Sequence, residues 1–343
     1  MKNYKKKFFA DKQLAAQTNE PTSHYGKRCL HCYEPLHEPN TELHQACNKR
    51  FYGQLKTPKL GYNLNNLKEL ASEVIQSQMS VTGVQAKVSL SMYRKEEKNL
   101  TKKLTIVGLY GDYILKPPSE HYQELPELES TTMHMAHTCG LQVVPHSLVR
   151  LEDNTLCYIT KRVDRNRIGK LRMEDMCQLS ERLTEDKYKG SHEQIAKLIL
   201  KYSASPLLDV SNFYELVLFS FFTGNADMHL KNFSLLEKEG LGMCLSPAYD
   251  LVPTALINLA DNEELALNLN GKKRKLKYED FLSAYENCGL SKKVLDNTLE
   301  LFVYCKPEMR TVLENSFVSE GFKVKYLELI DRRYKQIGLG QLN

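Results

Sequence analysis

The run FYELVLFSFF, Phe213–Phe222, constrains this chain more than any other stretch. It is apolar at nearly every position, so a helix built from it offers no polar face to water. Such a helix has to be enclosed by other elements of a sizeable core. The run is only about ten residues long and carries Glu215 and Ser220, whereas a bilayer span needs roughly 20 apolar residues. It reads as a buried helix and not as a membrane segment. Directly after it the chain turns polar, with Asn225, Asp227, His229, Lys231 and Asn232 in close succession, and then becomes apolar again at Phe233–Leu236. A polar loop held between two buried segments needs a reason beyond folding.

The chain has 343 residues, and at about 150 residues per domain that suggests two domains or lobes. Hydrophobic residues make up 42% and charged residues 26%, ordinary values for a globular protein. The formal charge of +5 is too small to argue for nucleic-acid binding, which calls for a clearly basic domain. Two basic clusters, Lys5-Lys6-Lys7 and Lys272-Lys273-Arg274-Lys275 with Lys277, read as solvated charge on a tail and a loop. The N-terminal MKNYKKKFFADKQ lacks the apolar segment of a signal peptide. The nine Cys are an odd number scattered along the chain and do not form a disulfide framework. A cytoplasmic location without membrane contact is expected.

Residues 1–25 are polar and aperiodic and read as a mobile tail. Residues 26–62 hold a Cys/His cluster. A helix is predicted from Asn63 through Ile75 by apolar spacing. VTGVQAKVSLSMY and KLTIVGLYGDYILKPP read as strands around a charged turn at Arg94–Lys98. Pro126 opens a helix that Gly140 closes. LQVVPHSLVRLEDNTLCYITKRV gives two more strands joined at Glu152-Asp153-Asn154. From Met173 onward the chain reads mainly as helices: Ser191–Tyr202, Asn212–Phe222, Tyr278–Asn287, Lys292–Tyr304 and Gly321–Gln336. The expected fold is α+β and two-lobed, like a protein kinase. Residues 63–163 form a β-rich N-lobe and 164–343 a mainly helical C-lobe, with a small N-terminal Cys/His knuckle.

Asp227 and Asn232 stand five positions apart after the buried helix. A protein-kinase catalytic loop uses this interval for a base that accepts the substrate hydroxyl's proton and an amide that holds magnesium. Asp250, in SPAYDLVP, is the candidate second magnesium ligand. Lys116, ending the strand YILK, is the candidate contact to the nucleotide phosphates. Ser80, Val81, Thr82 and Gly83 offer a loop of small and hydroxyl residues to cover those phosphates. Any one of these has a plain alternative as a turn or surface residue; their order along the chain is the order kinase chemistry uses.

These segments resemble the HipA-like serine/threonine kinases, the toxin components of bacterial toxin–antitoxin systems. SVTGVQAKVSL, YILKPP, the helix around Glu129–Gly140, ITKRVDR, MEDMCQLS with DKYKG, GNADMHLKNFSLL and LSPAYDLVP match in order over roughly residues 79–255. The chain is closest in form to the short HipT type. The usual HipA chain has a further N-terminal subdomain, which in HipT systems a separate small HipS-like protein supplies alongside a HipB-like helix-turn-helix antitoxin. The resemblance implies ATP and magnesium as cofactors, Asp227 as base, Asn232 and Asp250 as metal ligands, and Lys116 on the phosphates. It implies Glu129 as the partner of Lys116, a hinge for adenine at Lys161, Arg162 and Val163, and His229 and Lys231 as catalytic-loop residues. Ser80, and two positions later Thr82, match sites of autophosphorylation; a phosphate there would put about two negative charges where ATP phosphates must sit and switch the enzyme off. Family substrates are typically aminoacyl-tRNA synthetases, and DNA is reached only through the antitoxin. The sequence departs from the family at Val163, in place of a hinge aromatic, and at Leu128, in place of an Asn before Glu129.

Cys29, Cys32, His44 and Cys47 are spaced C-x2-C-x11-H-x2-C. Tetrahedral zinc accepts a Cys3His set, and structural zinc would tie down a segment too short to bury its own core; the alternative is a turn with free thiols. Two readings stand beside the protein kinase: a nucleotide-binding pseudokinase acting in an antitoxin–DNA complex, and a small-molecule kinase.

Overall fold

A computed structural model describes residues 27–38, 40–67, 69–70, 87–93, 103–107, 111–166 and 169–339. The 1–25 tail with its lysines, the Arg94–Lys98 turn and the loop of Ser80, Val81, Thr82 and Gly83 lie outside these residues, as does the second half of the helix predicted from Asn63. Helical residues 64–67 and 69–70 are its described part.

The first described element is helix α1, Gln45–Tyr52. Strands β1 (Val88–Tyr93), β2 (Lys103–Ile106) and β3 (Tyr113–Lys116) come next, then helix α2 (Leu125–Thr138), then β4 (His146–Arg150) and β5 (Leu156–Lys161). The five strands form one antiparallel sheet in the order β2-β1-β3-β5-β4. Val88, Leu90, Leu104, Leu115, Leu148, Val149 and Ile159 share a buried cluster with Cys29, Leu30, Tyr33, Phe51 and Tyr52. The Cys/His segment is therefore part of the small lobe's core. Helix α2 packs on β4 and β5. Its last turn closes as the sequence anticipates: Gly140, at φ +83°, donates to the His137 carbonyl, and Leu141 donates to that of Ala136.

The large lobe continues with β6 (Met173–Asp175), α3 (Met176–Leu179), α4 (His192–Tyr202), α5 (Pro206–Thr223), β7 (Ser234–Lys238), β8 (Gly242–Leu245), α6 (Thr254–Ile257), α7 (Tyr278–Glu286), α8 (Lys292–Glu314) and α9 (Glu320–Gln336). The apolar run forms the greater part of α5 and is enclosed as expected. Phe213, Phe219, Phe221 and Phe222 are all fully buried. One aromatic from each of the last three helices meets α5: Phe281 of α7 lies 5.3 Å from Phe221, Phe302 of α8 lies 5.3 Å from Phe222, and Tyr334 of α9 lies 4.2 Å from Phe222. Offset and edge-on aromatic pairs at such distances add roughly 0.5–1.5 kcal/mol each beyond area burial. Among the described residues no helix is long and apolar enough to cross a membrane.

Three details depart from the sequence reading. The sheet β6-β7-β8 stands inside a region that reads as mainly helical. Helix α5 begins at Pro206, not Asn212, because Pro fits a first helical turn and its neighbours Leu207 and Leu208 are solvent-facing. Helix α8 runs past Tyr304 to Glu314 and through Pro307. Pro307 lies on the exposed side, where water can take the carbonyl that the missing N–H leaves unpaired.

Helix α5 ends in the turn that aims the polar loop. Gly224, at φ +69°, donates to Phe221, and Asn225 donates to Ser220 at 2.8 Å. A β-carbon at Gly224 would lie 2.5 Å from Leu329 Cδ2 and 3.1 Å from Ala255 Cβ, so the left-handed conformation favours glycine here and any side chain would have to displace Leu329.

Candidate active site

Lys116 ends β3 with its side chain buried between two carboxylates. Its Nζ donates to Glu129 Oε1 at 2.6 Å and to Asp250 Oδ1. Glu129 comes from α2 of the small lobe and Asp250 from the segment after β8, so the ammonium joins both lobes. Lys87 Nζ reaches the other oxygen, Asp250 Oδ2, at 3.3 Å. Opposite β3, Tyr158 of β5 pairs with Lys116 and presents its ring 5.4 Å below the ammonium. Burial pushes the Glu129 carboxyl up to about 7, with Lys116 pulling it back; its Oε2 is buried without a partner. Burial would raise Asp250 too, yet Lys116 and Lys87 hold it well below the usual carboxylate range. Asp250 is thus an ionised carboxylate, able to offer oxygen to a cation. It also sits at φ +56°, an uncommon conformation for a residue with a side chain that is concentrated at functional sites.

The polar loop is strapped in place by the chain around Asp250. The Tyr249 hydroxyl donates to the Lys231 carbonyl at 3.0 Å and lies 2.5 Å from Ser234 Oγ. Thr254 Oγ1 accepts from the Ala226 N–H at 2.8 Å, and the Ala255 N–H donates to the Gly224 carbonyl at 3.0 Å. Within the loop, Asn225 Oδ1 accepts from the Asp227 N–H at 3.2 Å, and Asn232 Nδ2 donates to the Asp227 carbonyl at 3.2 Å. The amide nitrogen of Asn232 is thereby occupied, which leaves its oxygen as the atom to offer a cation.

Asp227 has a partner that the sequence reading did not single out. Tyr188 donates its hydroxyl to Asp227 Oδ1 at 2.6 Å, and its ring meets His229 edge-on at 5.0 Å. Tyr188 lies in the DKYKG string and is partly exposed, so the string itself was a signal. Asp175 was also missed: Lys231 pairs with its Oδ2 at 3.1 Å, while the Asp175 side chain caps α3 at Gln178. Burial lowers His229 to about 4 against the pull of Asp227, so the imidazole is neutral at pH 7.

Just after β5, Asp164 accepts from Arg162 Nε and Nη2 at 3.0 and 2.8 Å and from Arg165 Nη1 at 2.5 Å. The string RVDR is therefore a clamp in which one buried carboxylate holds both arginines. The N–H groups of Lys161 and Arg162 donate to Pro145 and Asp112, each at 2.8 Å.

Lys116, Lys161, Arg162, Val163, Asp227, His229, Lys231, Asn232 and Asp250 all line one cleft of about 1120 Å³ between the lobes. Of the predicted site residues, only the loop of Ser80, Val81, Thr82 and Gly83 falls outside the described residues, and only the Cys/His cluster, among the described ones, lies away from the cleft. That cluster lies elsewhere: the ligand atoms of Cys29, Cys32, His44 and Cys47 gather within 4.8 Å of one another.

Comparison with known proteins bears on the family and the fold. The chain is 31% identical to Y4dM of Sinorhizobium fredii, named a candidate kinase, over 64% of this chain and 56% of that one. It is 27% identical to a Haemophilus influenzae protein with a kinase name over 71% of this chain and 78% of that one. The first match thus spans little more than half of the relative's length. Among solved structures, a Shewanella oneidensis HipA chain from a complex with HipB and operator DNA aligns at TM-score 0.62 and 20% identity, covering 80% of this chain and 73% of that one. The Helicobacter pylori proinflammatory kinase CtkA aligns at TM-score 0.51 and 16% identity, covering 73% and 93%. The fold is the two-lobed, kinase-like fold that the sequence implied. Residues 79–307 match the model of the HipA-like C-terminal domain, and the chain belongs to that family.

Proposed function

We propose that this chain is an ATP- and magnesium-dependent protein kinase that phosphorylates a serine or threonine hydroxyl. The single observation that carries the reading is the Lys116–Glu129 pair meeting Asp250 in a cleft that Asp227 and Asn232 also line. In a phosphoryl transfer dominated by positioning and charge, these are the groups the reaction needs. Lys116 holds the nucleotide phosphates, and Glu129 holds Lys116. Val163 supplies the hinge N–H to the adenine, since those of Lys161 and Arg162 are already engaged. Asp227 takes the acceptor's proton. Magnesium, when held by Asn232 and Asp250, would neutralise charge on the phosphate oxygens; an ionised carboxylate and an amide oxygen are the hard ligands it prefers. Lys231 and the neutral His229 orient the loop.

The same reading makes the chain the toxin of a HipBST-like system in the cytoplasm. Its partners are a HipB-like helix-turn-helix antitoxin, through which DNA is reached, and a small HipS-like protein. Its substrate class is a cellular protein such as an aminoacyl-tRNA synthetase. Autophosphorylation falls on Ser80 or Thr82. We also assign zinc to Cys29, Cys32, His44 and Cys47. Three thiols and one imidazole are a zinc donor set, and His44 Nε2 donates to the Pro35 carbonyl at 2.9 Å, turning Nδ1 toward Cys32 and Cys47.

Intact-mass and peptide spectrometry of protein from cells, wild type against Asp250→Ala, tests the reaction class. A phosphate on Ser80 or Thr82 in the wild type alone is the expected result. ATP binding with no transferred phosphate on any protein would turn the reading to a pseudokinase, and transfer to small molecules alone would turn it to a small-molecule kinase.

Tyr188 occupies one of the two carboxylate oxygens of Asp227 to which an acceptor hydroxyl would donate. Tyr188→Phe removes that competitor. A hydrogen bond in this setting is worth about 0.5–1.5 kcal/mol net, so the acceptor KM should fall about two- to ten-fold with ATP affinity unchanged. Steady-state kinetics on a peptide acceptor checks this, and a higher acceptor KM would assign Tyr188 to orienting the base instead.

A further inference from the structure

The metal cluster lies beside the helix that carries Glu129. Between Cys29 and Cys32 stand Leu30 and His31, and Tyr33 follows at once. Each of these three residues makes a contact with the frame of the nucleotide site. The Tyr33 hydroxyl donates to Ser130 Oγ of α2 at 2.8 Å. Its ring stacks on His134 of the same helix, with centroids 4.2 Å apart and planes 16° from parallel. His134 Nε2 donates to the His31 carbonyl at 2.7 Å. On the sheet side, His31 Nδ1 donates to the His146 carbonyl at 2.9 Å, and the Leu30 carbonyl accepts from the Leu148 N–H at 3.1 Å. Ser130 is the neighbour of Glu129, and both are fully buried. Tyr33 holds φ +64°, a conformation that costs energy for a tyrosine, and its N–H donates to the Cys29 carbonyl at 2.9 Å, closing the turn.

We infer that a zinc ion in the Cys29, Cys32, His44 and Cys47 site positions Glu129. The ion fixes the turn that presents Tyr33 and His31 to α2, and α2 in turn holds Glu129 against Lys116. Zinc loading and nucleotide affinity are therefore coupled. Loss of the ion frees the turn, because the segment buries its side chains only by joining the small lobe's core. The part of this inference that concerns the nucleotide rests on the kinase reading. The part that concerns α2 does not.

The test uses the full chain. Zinc is counted by a colorimetric chelator after thiol release, α2 amides are followed by hydrogen exchange, and affinity for a non-hydrolysable ATP analogue is measured by calorimetry. The wild type should hold one zinc per chain. Cys32→Ser should lose it, and α2 amides should exchange at least ten-fold faster. Tyr33→Phe keeps all four ligands and should keep its zinc, while removal of one hydrogen bond weakens analogue binding about two- to ten-fold. Ser130→Ala, cutting the same link from the other side, should match it. Wild-type α2 protection in zinc-free Cys32→Ser, or wild-type analogue affinity in both zinc-loaded link variants, would overturn the inference. Should Cys32→Ser fail to fold, the two link variants still decide. If no variant and no wild type binds the analogue, the kinase reading fails, and the hydrogen-exchange result still decides whether the ion holds α2.

Discussion

Asp227→Asn is expected to slow phosphoryl transfer by about 10²–10⁴-fold, the range for losing a positioned general base. The substitution is close to isosteric. Its amide oxygen can still accept from the Tyr188 hydroxyl, which now lies 2.6 Å from Oδ1. The backbone links from Asn225 and Asn232 to residue 227 do not involve the altered group. Thermal stability and ATP affinity should therefore stay near wild type while the rate collapses. Single-turnover assays with saturating nucleotide separate these quantities. A loss below ten-fold would remove Asp227 from the role of base.

Lys116→Met should be the most damaging single change to stability. It leaves Glu129 fully buried and Asp250 partly buried with their common cation gone. Breaking a buried pair from one side costs about 3–5 kcal/mol. The cost depends on pH with a definite sign. Glu129 is pushed up to about 7 by burial in the presence of Lys116, and without that cation it rises further. A carboxyl raised on folding binds protons that the unfolded chain releases, so stability falls as pH rises from the ordinary carboxylate range through the raised value. Lys116→Met should therefore be less destabilised at pH 6 than at pH 8. Denaturant unfolding at the two values checks this, and equal losses would mean that the charge of Glu129 does not set the effect.

What the sequence disclosed follows from which forces are local. An all-round apolar run can only be enclosed, so α5 is legible, and so is Gly140, the glycine that closes α2. Strand β3 with Lys116 at its end is legible from β-branched and aromatic residues before Pro117-Pro118. Partners remote in the chain are not legible. The Tyr188–Asp227 bond spans 39 positions and the Lys231–Asp175 pair 56, and no periodicity connects them. Strand β6 has three residues and exists because β7 pairs with it, not because of its own propensity. The course of α8 through Pro307 was hidden because proline is read as a stop, while packing of Phe302, Cys305, Met309 and Leu313 in the core overrides that local preference.

The close approach of Leu329 to Gly224 gives helix α9 a part in placing the loop. Helix α9 backs the bend from which the loop departs, although it contributes no group to the cleft. A truncation that removed α9 would delete no acid, base or ligand. It would still strip the backstop from behind that bend, so shortened forms of this chain should lose activity through posture, with every reacting side chain still encoded.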